Sequence, residues 1–516
     1  MKSREDGLEG FRQACSDIQA IVGTGFPGLR RARYLLIRIH DPGAARNWLR
    51  RLLDAGLIHG IGHLRRHGPG GEPMADAAAR SQAHDLKQSA YLGLSYAGLK
   101  ALGLQDDPLL PFPSAFRNGM AGALRRQLFG ESGEPPLEWG DVDAGCPFVV
   151  HMFVAHYWHV DETMPAPILD PAQLPDGLEV RPVSTCPSYI EASPQPGVDP
   201  AVFEPFGSRD GIGQPVLAGL RLSKSERDSK NLAGKLFDDR VVMPGEFVLG
   251  QKNEYGESAY CPNVVGWPAE RPSAAVGFGR NGSYLAVRQI AQHVAAFRGF
   301  AAAHPALELA QQFIGRRKLD PNEDSPDDGY SLLDGAEPPA EIDAFRYLET
   351  DANGFACPRG AHARRAHPRD TLAVGVQQGI ADSKLHRMLR RGRVFATDCA
   401  KAACSEACSG HPAARQGEAP CGQGMMFVAL NADLDRQFEF VQRSWISGSR
   451  FGDLSDERDP ILGVGKRSFT VQGCPVGKRI DGLPRFTTVR GGGYFFLPSL
   501  PALDWLSGGR SSVEVR

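Results

Sequence analysis

Three short stretches of this 516-residue chain hold residue types that could do chemistry. In EPFGSRDGIGQP (204–215), Gly207, Gly211 and Gly213 surround Asp210. The backbone there can adopt conformations closed to other residues and press a carboxylate against a ligand. It is not a dinucleotide loop, because the G-x-G-x-x-G spacing and its preceding strand are missing; the plain alternative is a turn. In CPRGAHARRAHPRD (357–370), His362 is a candidate axial ligand for the iron of a b-type haem. Cys357 stands at C-x4-H spacing, not the C-x-x-C-H of thioether attachment, so such a haem would be held through iron alone. The alternative is a surface loop, or a local nucleic-acid patch built on its arginines. His367 directly precedes Pro368, which biases it to an extended edge and makes it a bystander. In HRMLRRGRVFA (386–396), Arg390 and Arg391 fall where an element ends at Gly392. An arginine there can deliver a fixed positive charge into a pocket, or form a solvated basic turn.

Other clusters are less pointed. Cys399, Cys404, Cys408 and Cys421, with His411 nearby, lack a paired C-x-x-C spacing. Loop thiols or disulfides explain them more simply than a second metal, which stays open. His59, His63 and His67 have helical-face spacing, but the glycines among them disfavour the helix a metal site would need. Trp445, Tyr494 and Trp505 are candidate surface relays for substrates too large for a pocket, with core packing as the alternative.

The elements that would position these residues come in pairs. RYLLIRIHDPGAARNWLRRLL (33–53) reads as a strand, a turn and an amphipathic helix, and GSYLAVRQIAQHVAAFRGF (282–300) repeats that order. FVVHMFVAHYW (148–158) reads as a strand, and GMMFVALNADLDRQFEFVQRSWI (424–446) as a strand, a turn and a helix. The pattern predicts a duplicated α+β fold of ferredoxin-like halves, with antiparallel sheets rather than a doubly wound parallel one. The N-terminal half is placed at residues 17–235, the C-terminal half at 236–506 and a disordered tail at 507–516. The acidic, proline-bearing stretch 316–343 reads as a surface insertion.

Composition sets outer limits. The 42% apolar and 23% charged residues are ordinary for a globular protein. With 58 Lys+Arg against 60 Asp+Glu, the net charge of -2 argues against a whole-protein grip on nucleic acid or anionic lipid. No run approaches the ~18 consecutive apolar residues of a membrane span. The first residues lack the pattern of a cleaved leader, and the ten scattered cysteines suit reduced thiols, so the expected location is cytoplasmic.

Taken in order, the three stretches resemble the dye-decolorizing peroxidases, a family of haem enzymes. The family's G-x-x-D-G signature, followed by I-x-Q-P, is matched from Gly207 to Pro215. Its C-P-x-x-A-H-x-R-x-x-x-P-R segment is matched from Cys357 to Arg369, and its distal-arginine segment is similar to RMLRRG. Supporting stretches extend the resemblance over residues 17–506. After the arginine the chain departs from the family's G-x-P-Y-G, reading Gly392-Arg393-Val394-Phe395-Ala396, and the cysteine-rich insertion follows.

The resemblance implies two ferredoxin-like halves with one non-covalent haem b between them. It implies His362 as proximal iron ligand, Asp210 as distal acid–base and Arg390 as distal arginine. A proximal imidazole usually donates its second N–H to an acid, and Asp435 and Glu439 are the candidates. Beside a haem, the arginines of 357–370 become propionate partners, Arg364 first. The implied activity is hydrogen peroxide-dependent oxidation of dyes, phenolics or similar small reductants, favoured in acid because an aspartate (pKa about 3.9) is a weak base at neutral pH. The alternative is a non-catalytic haem carrier or sensor. Neither nucleic acid nor membrane is an expected partner, and a homo-oligomer is compatible with the sequence.

Overall fold

The computed structural model describes residues 2–26, 28–64, 86–159, 166–185, 204–208, 211–220, 239–268, 277–318, 330–332, 345–396 and 423–508. Asp210, the four clustered cysteines with His411, His67, most of the acidic insertion and most of the tail lie outside these residues.

Four strands form the N-terminal part of the sheet: β1 (Arg31–Ile39), β2 (Gln88–Leu94), β3 (Met152–Trp158) and β4 (Leu178–Thr185). They pair antiparallel in the order β2-β3-β1-β4. The C-terminal part contains β5 (Ser283–Gln292), the short β6 (Leu389–Arg390) and β7 (Arg393–Ala396), β8 (Gln423–Asn431) and β9 (Thr487–Leu497). Here β6 and β7 share one edge of β8, and the order is β6/β7-β8-β5-β9, again antiparallel. With β6 and β7 counted as one position, both halves have the order second-third-first-fourth, as expected of a duplicated ferredoxin-like fold. They join where Phe496 of β9 pairs with Leu94 of β2, making one continuous sheet.

Both faces of that sheet are buried, which explains why its strands read as apolar runs rather than alternating ones. On β1, Leu35, Ile37 and Ile39 pack with Trp48, Leu49 and Leu52 of helix α1 (Pro42–Asp54). The alternate residues Ala32, Tyr34 and Leu36 join Tyr91, Phe153, Tyr157 and Phe495 on the other face. Helix α1 starts where Asp41 accepts from the Gly43 N–H at 2.7 Å and Pro42 takes the first position, so the predicted turn is a helix cap. In the second half, helix α2 (Val294–Ala302) follows β5. Gln19, buried beside the junction, donates to the carbonyls of Leu92 in β2 (3.0 Å) and Pro498 just beyond β9 (2.8 Å). Among the described residues, no helix is long and apolar enough to cross a membrane.

Candidate active site

Two long connections of the C-terminal half meet over its sheet. The first, between α2 and β6, contains the short helix α3 (His362–Ala366). The second follows β8 with the helical segments α4 (Asp435–Glu439) and α5 (Val441–Ile446) and leads into a loop through Asp459. These segments are wound with widened π turns, as in the bond from the Glu439 N–H to Leu434 O at 2.9 Å. Between the connections and the sheet lies a cavity of about 260 Å³. Ile290 and Gln292 of β5, with Met425 and Phe427 of β8, face it from the sheet. Val441, Ile446, Ile461 and Leu462 add apolar wall from the second connection.

His362 opens α3 and lines the cavity. Its Nδ1 lies 2.9 Å from Oδ2 of Asp459, whose side chain is 0% exposed. The other carboxylate oxygen, Oδ1, accepts from the N–H groups of Ile461 (2.9 Å) and Leu462 (2.8 Å), so the carboxylate is fixed at both ends. That leaves Nε2 as the ring nitrogen open to the cavity. Burial by itself would depress the His362 pKa, but the Asp459 carboxylate outweighs it and the net shift is upward. Burial works against the charge of Asp459 too, yet His362 and backbone N–H groups hold its pKa below the ordinary value.

Neither predicted partner of His362 has that place. Asp435 is exposed and 3.7 Å from Arg125, while Glu439 is buried between Arg125 (2.8 Å) and the Tyr494 hydroxyl (2.9 Å). Both belong to the helix facing the sheet, whereas α3 faces the loop beyond that helix.

Arg390 also lines the cavity, and two interactions explain its placement. Its backbone N–H donates to Gln214 Oε1 at 3.0 Å, and its carbonyl accepts from Gln214 Nε2 at 3.1 Å. Its guanidinium donates to Ile212 O. The Asp-Gly loop and the arginine strand are therefore tied together. Arg391 points the opposite way, donating to the Ile21 and Val22 carbonyls, as strand alternation requires. Glu204 anchors the other end of the loop, accepting from the Ser208 N–H at 2.7 Å and from Gln292 Nε2 at 2.6 Å. Ser208 and Gly211, on either side of residues 209–210, both line the cavity.

His367 is not a bystander. It lines the cavity, lies tilted against Phe345 with ring centroids 4.5 Å apart and has Nε2 3.5 Å from the Arg390 guanidinium. Burial, then the charges of Arg369 and Arg390, drive its pKa well below the ordinary value. Arg364 is engaged elsewhere: it is buried, 3.1 Å from Asp351 Oδ2 and 2.9 Å from the Cys357 carbonyl. The arginines that line the cavity are Arg390 and Arg316, the latter unnoticed in a stretch read as insertion. Trp445 and Tyr494 are buried, so neither is a surface relay. Gln214 stood in the sequence only as the glutamine of I-x-Q-P, and Glu204 and Asp459 carried no signal of their own.

The donor set suits a haem. One imidazole nitrogen faces a largely apolar cavity, its other nitrogen is fixed to a buried carboxylate, and two guanidinium groups stand in the wall.

No family model matches the chain. Among curated proteins it is 27% identical over 344 residues to a dye-decolorizing peroxidase of Mycetinis scorodonius, covering 61% of this chain and 58% of that protein. It is 28% identical over 318 residues to a multifunctional dye peroxidase of an Amycolatopsis species, covering 58% and 60%. The matched region thus spans less than two thirds of these relatives' length. Among solved structures, a dye-decolorizing peroxidase from Auricularia auricula-judae superposes with a TM-score of 0.65 at 20% identity, covering 96% of this chain and 99% of that one. A DyP-type peroxidase from Anabaena gives a TM-score of 0.65 at 18% identity over 96% and 95%. Another structure, a dye-decolorizing peroxidase in complex with 2,6-dimethoxyphenol, gives 0.63 at 20% identity. The chain is thus similar in sequence to dye-decolorizing peroxidases over about 60% of its length and has the fold of their solved structures.

Proposed function

We propose that this protein is a haem-dependent peroxidase that uses hydrogen peroxide to oxidise dyes, phenolics or similar small reductants. The observation that carries the reading is the His362–Asp459 pair opening on an apolar cavity that Arg390 also reaches. The names of the relatives point the same way, and the 2,6-dimethoxyphenol complex of one structural neighbour supports a phenolic reductant.

His362 would hold a single non-covalent haem b through Nε2, and Arg316, rather than Arg364, is the cation we assign to its carboxylates. Bound haem would supply a redox-active iron that exchanges electrons with peroxide and reductant. The chain's own work is to orient groups and move protons. Asp459 accepts the Nδ1 proton's hydrogen bond, fixing the tautomer and raising the donor strength of Nε2. Asp210 is assigned the proton shuttle, taking a proton from one peroxide oxygen and returning it to the departing one. Arg390 stabilises the negative charge that develops on the departing oxygen. The apolar wall excludes water, which strengthens both effects.

An absorption spectrum of purified protein titrated with haem, followed by peroxide and a dye, tests the proposal. The expected result is a Soret band near 400 nm and turnover that falls in Asp210→Asn and Arg390→Leu. Haem binding without turnover would select the carrier or sensor instead, and no haem uptake would reject both.

A further inference from the structure

Arg365, three residues after His362, is 0% exposed and has no role in the reading above. Its guanidinium donates to the carbonyls of Trp445 (2.6 Å) and Gly448 (3.0 Å), at the end of α5, and Glu457 (2.8 Å), on the loop. It also lies 5.4 Å from the Phe451 ring centroid. One side chain of the histidine's own helix thus grips both ends of the excursion from α5 to Asp459. Other ties there are the Asp459 N–H to Ile446 O (3.0 Å), the Glu457 N–H to Ser449 O (3.2 Å) and Arg458 Nε to the Ser447 carbonyl (3.1 Å), but Arg365 alone among them belongs to the histidine's helix.

A buried guanidinium is costly unless its donors are satisfied; the two terminal nitrogens of Arg365 are, while Nε has no partner among the described residues. The planar fork of arginine suits this place, because two nitrogens reach carbonyls of two segments in fixed directions, whereas lysine offers its donors from a single atom. Its neighbour Arg364 fills the same helix's other side with the Asp351 cluster, so the two arginines separate by direction along α3.

We propose that Arg365 is a positioning residue that sets the register of the Asp459 carboxylate against His362 Nδ1, and through it the electron-donor strength of the iron ligand. The proposal rests on His362 binding haem. Loosening Arg365 weakens the Nδ1–H···Oδ2 bond, makes the imidazole a poorer donor and favours the reduced iron.

The test is the reduction potential of haem-loaded wild-type protein and of R365Q, R365K, D459N and the D459N/R365Q double variant, read with the Soret band. D459N should shift the potential upward. R365Q should shift it in the same direction by at least half as much, R365K by less, and the double variant no further than D459N. An Arg365 that served only as a structural staple would lower the melting temperature and leave the potential unmoved. Should R365Q not fold, R365K decides, with an upward shift in the native background that vanishes beside D459N. A wild-type potential in the folded Arg365 variants, or an equal shift when Asp459 is already Asn, overturns the assignment. Wild-type protein that takes up no haem overturns the reading beneath it instead.

Discussion

Two histidines, one in each half, were given opposite fates by their partners. His156 sits on β3, fully buried, with Nε2 3.1 Å from the Gln88 amide oxygen and Nδ1 without a partner. Burial, and then the charge of Arg33, push its pKa down to about 3. His362 is half-buried against the cavity, and burial pulls its pKa down too, yet the net shift is upward because a carboxylate faces it. The two halves share a strand order, so the sheet is not the cause. The difference is in the connections. In the N-terminal half, β3 and β4 are joined by a shorter link whose described residues form two 3-10 turns; in the C-terminal half, the link from β8 to β9 carries α4, α5 and the Asp459 loop. The sheet gives both histidines a dry floor, and only the longer loop brings an acid to one of them.

The sharpest way to break this contrast is to exchange nothing but the histidines. His362→Ala should remove the Soret band and lower peroxide-dependent dye oxidation by about 10³-fold or more, since the assigned ligand is gone. His156→Gln should leave both intact, and loss of haem in that variant would erase the distinction. Arg390→Leu should keep haem while turnover falls by roughly 10²–10³-fold, the range for removing one charge-stabilising donor. Asp459→Asn should cost roughly 10–100-fold in haem affinity or turnover, as for other outer partners of a ligating histidine; an unchanged value would reduce His362 to the standing of His156.

The smallest effect is one of stability. The unfolded chain protonates its histidines near pH 6.5, whereas folded His156 resists protonation down to about 3. Folded-state stability therefore drains as pH falls through that window, by on the order of 2 kcal/mol between pH 6.5 and 5 for this residue. His156→Gln should flatten that part of the pH–stability curve, measured by urea unfolding, and an unaltered slope would mean the ring is not held neutral by burial.

The β-α units were legible because both sheet faces are buried and strands such as LLIRI and YLAVRQI stand out as apolar runs. His362 and Arg390 were singled out through the resemblance of their local motifs to the family's, since spacing alone left Arg390 and Arg391 equivalent. Asp459 was not: it follows Asp453, Asp456 and Glu457 in a loop 97 positions from its partner, and only folding selects one carboxylate. Asp435 and Glu439 looked better because a helix facing the sheet is easier to read than the loop behind it. Within the arginine cluster, direction around a five-residue helix separates Arg364 from Arg365, and that direction depends on where α3 docks. His367 looked peripheral because a residue before proline is extended, which says nothing about which wall it joins.

Gln19 carries a consequence in time. It holds the Leu92 carbonyl of β2 and the Pro498 carbonyl, residues separated by some four hundred positions of synthesis. While the ribosome is still making the second half, β1 to β4 can pair, and Leu57 and Gln19 bond to Ala90 and Leu92 along the free edge of β2, but its Leu94 end stays open until β9 emerges. An open edge is a template for wrong pairing, and domains form as they are made. The delay between residues 94 and 496 is therefore the period in which this chain most needs a chaperone, and slowing translation there should lower its yield more than slowing it earlier.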